Sequence, residues 1–389
     1  MNNKVLVSGI GSVSPAGLNP DDLWLNTLNE RSAIQNGLGY LTNNQLQELK
    51  SSANASNKPE LNLKPILATL AAMKQAMHQA GWTQLNPNDG FIFATTTGLV
   101  STWDHSLISY LNGKINADTF FTEFDRERLS VMFDIICTEL SFDGRRQLIS
   151  TACAAGTHAI ALAALWLKTG KVKRCLVGGT EVLSTLTVEG FRCFQLLNPQ
   201  TATPFNKNRM GINLAEASAF LCLETEPSLA LAEISGLGFS SDAYHMTAPH
   251  PQGKGSMLAM KQALTTAHLQ PDDISWIHAH GTGSTHNDQS EALAIFNLFG
   301  EQSPLVSSTK AIHGHTLATS GLLESVLCIK ALENQTLLRT YGLNEPDEQL
   351  QVNHPKRSFQ TPLRHILKNT LGFGGSNGAL VISRVGVNP

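Results

Sequence analysis

The groups able to do nucleophilic or proton-transfer chemistry are concentrated in six cysteines and thirteen histidines. Cys153 lies in the run Leu148-Ile-Ser-Thr-Ala-Cys153-Ala-Ala-Gly-Thr-His-Ala-Ile160. That run reads as an apolar strand, a tight turn of small residues and an alanine-rich helix. A thiol at the turn sits beside the first free backbone N–H groups of the helix. Those groups and the helix dipole favour a thiolate and are expected to lower the thiol pKa. They can equally stabilise an oxyanion on a substrate carbonyl. Ala152, Ala154, Ala155 and Gly156 leave room for a substrate. Taken alone, the segment also fits a small buried core cysteine. Cys137, Cys175, Cys193, Cys222 and Cys328 lack this setting. With no C-x-x-C pair, the cysteines read as reduced thiols, neither a zinc set nor a disulfide framework.

Two histidines close strands at glycine turns: His280 in Ile277-His-Ala-His280-Gly-Thr-Gly-Ser284, and His315 in Ser307-Ser-Thr-Lys310-Ala-Ile-His-Gly-His315-Thr316. Open α/β sheets bind ligands at such strand ends. An isolated histidine is more often a satisfied or surface imidazole. By strand alternation His278 and His280 share a face, with His280 nearer the turn. The spacings of His278, His280, His313 and His315 do not match usual zinc motifs, so no metal is expected. A cysteine with a histidine suggests acyl transfer. Two imidazoles suggest that more than one oxygen must be stabilised.

These residues need a scaffold. Short β-branched runs are expected as strands at Val5–Ile10, Gly90–Thr95, Gln147–Thr151, Arg174–Gly178 and Ala217–Glu224. A second set is expected at Ala232–Phe239, Ser275–Ala279, Pro304–Ser307, His365–Thr370 and Ala379–Ser383. Helical patterns fall between them at Leu63–Ala80, Ala154–Thr169, Met257–His268, Ser290–Phe299 and Gly321–Asn334. The alternation predicts an α/β fold. Gly90-Phe-Ile-Phe-Ala-Thr-Thr-Thr-Gly98 resembles Ser275-Trp-Ile-His-Ala-His-Gly-Thr-Gly283, as a duplication would make it. Any α/β protein can offer one such pair by chance.

The 389 residues can bury a large core. With 28 Lys plus Arg against 31 Asp plus Glu, net charge −3, there is no footprint for nucleic acid. Met1–Val13 lacks the apolar core and cleavage site of a signal peptide. The uncharged run Gln147–Leu167 is long enough to span a bilayer. Its Ser150, Thr151, Gly156, Thr157 and His158 instead favour a buried strand and helix. A cytoplasmic, non-membrane protein is expected.

Together, the motifs resemble the β-ketoacyl-acyl-carrier-protein synthases, condensing enzymes of the thiolase fold. Thr151-Ala-Cys153-Ala-Ala-Gly-Thr-His-Ala-Ile is similar to the nucleophile motif. Ala279-His280-Gly-Thr282-Gly-Ser284, with Asp288 and Glu291, is similar to the first histidine motif. Ser308-Thr-Lys310-Ala-Ile-His-Gly-His315, with Gly321 and Glu324, is similar to the lysine and second histidine motif. Leu371-Gly-Phe373-Gly-Gly-Ser-Asn377 is similar to the glycine-rich loop. Cysteine with two histidines resembles the elongating type.

The resemblance implies two related βα halves in a five-layered α-β-α-β-α core. One half, 1–231, would carry the cysteine, and the other, 232–389, both histidines and the gate loop. It implies decarboxylative Claisen condensation of malonyl-carrier protein with an acyl group on Cys153. The N–H groups of Cys153 and Phe373 would form the oxyanion hole, with Phe373 also a gate. His280 and His315 would stabilise an enolate, Lys310 and Glu324 would support His315, and Thr282 and Ser284 would hold phosphopantetheine. No resident cofactor is implied, because substrates ride on the phosphopantetheine of acyl carrier protein. The implied assembly is a homodimer, or a heterodimer with a ketosynthase-like paralogue.

Met210, Asn206, Asn208, His313, Ser284, Ser376 and Leu371 depart from the usual pattern. They favour a specialised synthase, of type II polyketide or aryl-polyene kind, over the primary fatty-acid enzyme. Two alternatives stay open: a non-catalytic carrier-protein-binding heterodimer partner, and a coenzyme A-dependent thiolase-like acyltransferase.

Overall fold

The computed structural model describes residues 4–52, 59–125 and 129–386. Its main sheet has ten strands. In chain order they are β1 (Leu6–Val13), β2 (Gly90–Ala94), β3 (Arg145–Ile149), β4 (Arg174–Glu181) and β5 (Ala217–Glu224). Then come β6 (Ala232–Ser241), β7 (Trp276–His278), β8 (Val306–Ser307), β9 (His365–Gly372) and β10 (Ser376–Ser383). Across the sheet the order is β8-β7-β9-β10-β6-β1-β5-β4-β2-β3. Every strand expected from the sequence is present, with ends shifted by a few residues.

The sheet is symmetric about the short antiparallel contact of β1 with β6, at Leu6 with Glu233 and Val7 with Ala232. Moving outward, one half runs β1, β5, β4, β2, β3 and the other β6, β10, β9, β7, β8. In both, the first two pairings are antiparallel and the last two parallel. The two similar segments noted in the sequence, Gly90–Gly98 and Ser275–Gly283, occupy the same fourth place. The duplication is therefore real in the fold.

Six helices complete five layers: α1 (Lys64–Gln79), α2 (Leu129–Glu139), α3 (Ala155–Lys168), α4 (Lys254–Ala267), α5 (Thr285–Phe299) and α6 (Ser320–Asn334). Strand alternation sorts the side chains into layers. In β2, Phe91 and Phe93 pack outward with α1 and α2 residues such as Met73, Met132 and Ile136. Ile92 and Ala94 pack inward with residues of α3 and α6. In β10, Ala379 and Val381 face α4, while Leu380 and Ile382 join the inner cluster. Helices α3 and α6 thus lie between the two half-sheets, and small residues let them meet. A Cβ on Gly156 would fall 2.6 Å from the Ala318 carbonyl oxygen, and one on Gly321 2.2 Å from Thr157 Oγ1.

The uncharged run Gln147–Leu167 resolves into β3, the Cys153 turn and inner helix α3. Among the described residues, no helix is long and apolar enough to cross a membrane.

Candidate active site

Cys153, His280 and Phe373 follow different strand ends, His315 follows the short helix Lys310–His313, and all four line one cleft of about 290 Å³. Cys153 follows β3 in the tight turn before α3. Ala152 takes a left-handed φ of 49° there, a strained conformation for a residue with a Cβ. The thiol is buried, 5% exposed. Burial pushes it up to about 11, while the backbone N–H of Phe373, the Lys310 charge and its own N–H pull the other way. The expectation of a lowered thiol pKa is thus corrected. The N–H donors are in place, but desolvation in the closed layer outweighs them.

Phe373 sits in the turn between β9 and β10. Gly374 and Gly375 there have φ of 76° and 77°, a left-handed pair that side chains rarely adopt. Its ring is stacked on Phe191, from the helix Thr185–Cys193, with centroids 5.5 Å apart and planes 16° apart. The backbone N–H that reaches Cys153 and the ring that could move over it therefore belong to one residue.

His280 lies just past β7. Its backbone N–H donates to Glu291 Oε1 at 2.6 Å, and the Gly281 N–H to Oε2 at 2.8 Å. Lys310 Nζ donates to the His280 carbonyl at 2.6 Å and lies 3.4 Å from Nδ1. An ammonium has only donors, so Nδ1 must accept and the ring proton sits on Nε2. His315 reaches the same state by other partners. Its Nδ1 accepts from the Leu317 N–H and faces the Ser320 hydroxyl, both at 3.1 Å. Burial, then the Lys310 charge, holds both rings neutral: His280 falls well below the ordinary histidine range and His315 drops to about 3. The rings are nearly perpendicular, 88°, with centroids 5.2 Å apart. The result is two neutral N–H donors beside a thiol, an arrangement suited to developing negative charge on an oxygen.

Lys310 makes direct contacts with His280, and its expected support of His315 is exerted through its charge. Its backbone starts the short helix Lys310–His313, and its chain runs back toward the end of β7. Glu324, on α6, pairs with Lys310 and also lies 2.7 Å from Lys368 Nζ on β9. All three side chains are buried. Burial alone would raise the Glu324 carboxyl, but Lys310 and Lys368 outweigh it and hold it far below the usual carboxylate range. Burial lowers Lys310, against the opposing pull of Glu324.

Thr282 and Ser284 line the cleft and share a hydroxyl contact of 3.1 Å. Asp288 braces their turn, accepting the Thr282 and Gly283 N–H groups at 3.2 Å. Arg209 takes its counter-charges from Asp288 at 3.7 Å and Asp347 at 2.7 Å. The uncharged Met210, Asn206 and Asn208 beside it are thereby accommodated. Leu371 also lines the cleft. Among the described residues, no cluster of His, Cys, Asp and Glu has the geometry to hold a metal ion.

Lys368, Phe191 and Ser320 were not singled out from the sequence. Lys368 had a signal: a lone charge inside the apolar strand Ile366-Leu-Lys-Asn-Thr-Leu371 must be buried and paired. Phe191 had none, because its partner Phe373 is distant in the chain, whereas Ser320 follows His315 by five positions.

The chain is similar to known families and proteins over most of its length. A model described as "Beta-ketoacyl synthase, N-terminal domain" matches residues 65–228, and one described as "Beta-ketoacyl synthase, C-terminal domain" matches residues 231–344. "Nodulation protein E" of Rhizobium meliloti (strain 1021) is 30% identical over 99% of this chain and 100% of its own. "3-oxoacyl-[acyl-carrier-protein] synthase 2" of Coxiella burnetii is 30% identical over 98% of this chain and 99% of its own. A solved ketosynthase in complex with its chain length factor, from Xenorhabdus doucetiae, superposes with a TM-score of 0.81 at 28% identity, covering 98% of each chain. By family models spanning most of its length and by full-length relatives, the chain belongs to the β-ketoacyl synthase family.

Proposed function

We propose that the protein is an elongating β-ketoacyl-acyl-carrier-protein synthase, joining a malonyl unit to an acyl group held on Cys153. One observation carries this reading. Two neutral imidazoles, each with Nδ1 occupied by a donor, present Nε2–H groups to the cleft that holds the thiol.

Cys153 Sγ attacks the thioester carbonyl of the incoming acyl chain. The tetrahedral oxyanion takes the N–H groups of Cys153 and Phe373. The thiol proton ends on the departing pantetheine sulfur. A malonyl thioester then binds, with Thr282 and Ser284 as hydroxyl partners for its phosphopantetheine arm. Its C–C bond breaks, carbon dioxide leaves, and the electron pair becomes an enolate. His280 and His315 donate to the enolate oxygen. The enolate carbon attacks the acyl carbonyl, the C–S bond to Cys153 breaks, and one proton restores the thiol. Burial of Cys153 makes the neutral thiol the resting form.

The chain acts as two interlocked halves, 1–231 and 232–389, because the site draws on both. The partner is acyl carrier protein, the assembly a homodimer or a heterodimer with a ketosynthase-like paralogue, and the location the cytoplasm. The named relatives support the carrier-bound substrate, and the Xenorhabdus complex supports a paired assembly. A specialised acyl chain, polyketide or aryl-polyene, fits the departures at His313, Ser376 and Leu371.

The test is reconstitution with acyl- and malonyl-carrier protein, reading β-ketoacyl product by mass spectrometry. Product from carrier-bound substrates, with far less from the coenzyme A thioesters, is expected. Equal or better turnover of the coenzyme A thioesters contradicts the carrier-protein assignment, and no product from either contradicts the enzyme assignment.

A further inference from the structure

Behind the imidazoles that face the cleft lies a second pair that reaches neither cleft nor solvent. His278 and His313 are completely buried. Their Nε2 atoms flank one hydroxyl: His278 Nε2 is 3.0 Å from Thr309 Oγ1, and Thr309 Oγ1 is 2.8 Å from His313 Nε2. A threonine hydroxyl carries one proton, so at most one ring accepts it and at least one donates its own N–H. The His278 Nδ1 is buried without a hydrogen-bond partner, and the His313 ring meets, besides Thr309, the backbone of Gly314. Burial keeps both rings neutral, His278 lowered to about 3 and His313 to about 4. An unpartnered buried nitrogen is destabilising. Two apolar side chains would pack here without that penalty, which calls for a role beyond packing.

The position of Thr309 suggests the role. It directly precedes Lys310, whose Nζ must meet the His280 carbonyl, His280 Nδ1 and Glu324 together. A hydroxyl held from both sides fixes the backbone from which the lysine projects. His278 stands in register with Ser307 on β8 and Lys368 on β9. It is therefore a cross-strand neighbour of the lysine that closes the other side of Glu324. His313 ends the same short helix that Lys310 begins.

We propose that His278, Thr309 and His313 form a buried clamp that positions Lys310 against His280 and so keeps the His280 ring proton on Nε2. These are positioning residues, since none touches substrate. The clamp rests on the reading of His280 as an enolate donor. When it loosens, Lys310 Nζ loses its aim, Nδ1 loses its donor, and the Nδ1–H tautomer becomes accessible. Acyl transfer to Cys153 does not pass through His280 Nε2–H and is spared.

Thr309→Val keeps the shape and removes the hydroxyl, while Thr309→Ser restores it. His313→Leu removes the clamp nitrogen, and His313→Gln returns an amide near the Nε2 position. Carbon dioxide release from malonyl-carrier protein and acylation of Cys153 are measured on each folded variant, beside His280→Ala. Thr309→Val and His313→Leu are expected to lower kcat for decarboxylation about ten- to a hundredfold, as small misplacements of catalytic groups do. KM and acylation should stay within about twofold of wild type. Thr309→Ser and His313→Gln should recover most of the loss. Wild-type decarboxylation in Thr309→Val and His313→Leu, or equal loss of both half-reactions, overturns the clamp. If His280→Ala itself decarboxylates normally, the underlying reading of His280 fails, whatever the clamp variants do.

Discussion

The inner helices α3 and α6 hold equivalent places in the two halves, yet their surroundings differ in kind. At the start of α3, Cys153 is served by backbone N–H groups, and its neighbours are alanine, glycine and threonine. Around α6, Glu324 gathers Lys310 and Lys368, with His278 and His313 close behind. The difference reflects what each group needs. A thiol awaiting an acyl carbonyl needs space and two amide protons, which the strained turn at Cys153 and the glycine turn at Phe373 supply. An imidazole that must donate from one chosen nitrogen needs its other nitrogen occupied, which here takes a buried cation and a buried anion to hold it. The thiol is served through backbone shape and the His280 imidazole through side-chain charge.

Breaking the thiol side should have the largest effect. Cys153→Ala removes the sulfur proposed to carry the acyl chain. Condensation should fall by about 10³-fold or more, with no acyl adduct by intact-protein mass spectrometry. An adduct of unchanged mass and yield would place the nucleophile elsewhere. Next come His280→Ala and His315→Ala. Each removes one oxyanion donor and should slow carbon dioxide release by about 10²- to 10³-fold. Cys153 should still acylate in both.

The charged side of the comparison can be separated from catalysis by stability. Glu324→Gln leaves two buried lysines without their shared carboxylate and should destabilise the fold by about 3–5 kcal/mol. A denaturant midpoint unchanged from wild type would mean that the network is not ion-paired in solution.

A smaller effect should appear with pH. His278, His280, His313 and His315 are held neutral with lowered pKa values, whereas the unfolded chain protonates them near pH 6.5. The unfolded state then binds more protons, and stability falls as pH drops. Each buried histidine should account for about 2 kcal/mol lost between pH 7 and pH 5. His313→Gln should remove one such share from the slope of unfolding free energy against pH; an unaltered slope would show that His313 titrates alike in the folded and unfolded chain. Smallest of all, Phe191→Ala removes the ring stacked on Phe373 and should change stability by about 1 kcal/mol. Its clearer mark should be faster iodoacetamide labelling of Cys153 as the Phe373 loop loosens.

The same contrast explains what was legible in the sequence. The strand-turn-helix around Cys153 is local, so its place and its small neighbours were readable directly. The ten strands were readable because alternation and turn residues repeat; the duplication was only hinted at by one pair of similar segments, and the sheet order decides it. His280 and His315 stood beside glycines, a local signal again. What the sequence obscured was pairwise. Lys310 supports His280 across 30 positions, and Lys368 meets Glu324 across 44, contacts that only the packed layers create. The thiol pKa was misjudged for the same reason: helix N–H groups are a local property, whereas desolvation depends on the sheets closing over the turn.

The division of labour between thiol and imidazole is tested most directly by running both half-reactions on one pair of variants. Cys153→Ala and His280→Ala are each given acyl-carrier protein, read by intact mass, and malonyl-carrier protein, read by carbon dioxide release. A crossed pattern is expected: Cys153→Ala takes no acyl group yet still releases carbon dioxide, and His280→Ala takes the acyl group yet scarcely decarboxylates. Loss of both half-reactions in both variants would contradict the division.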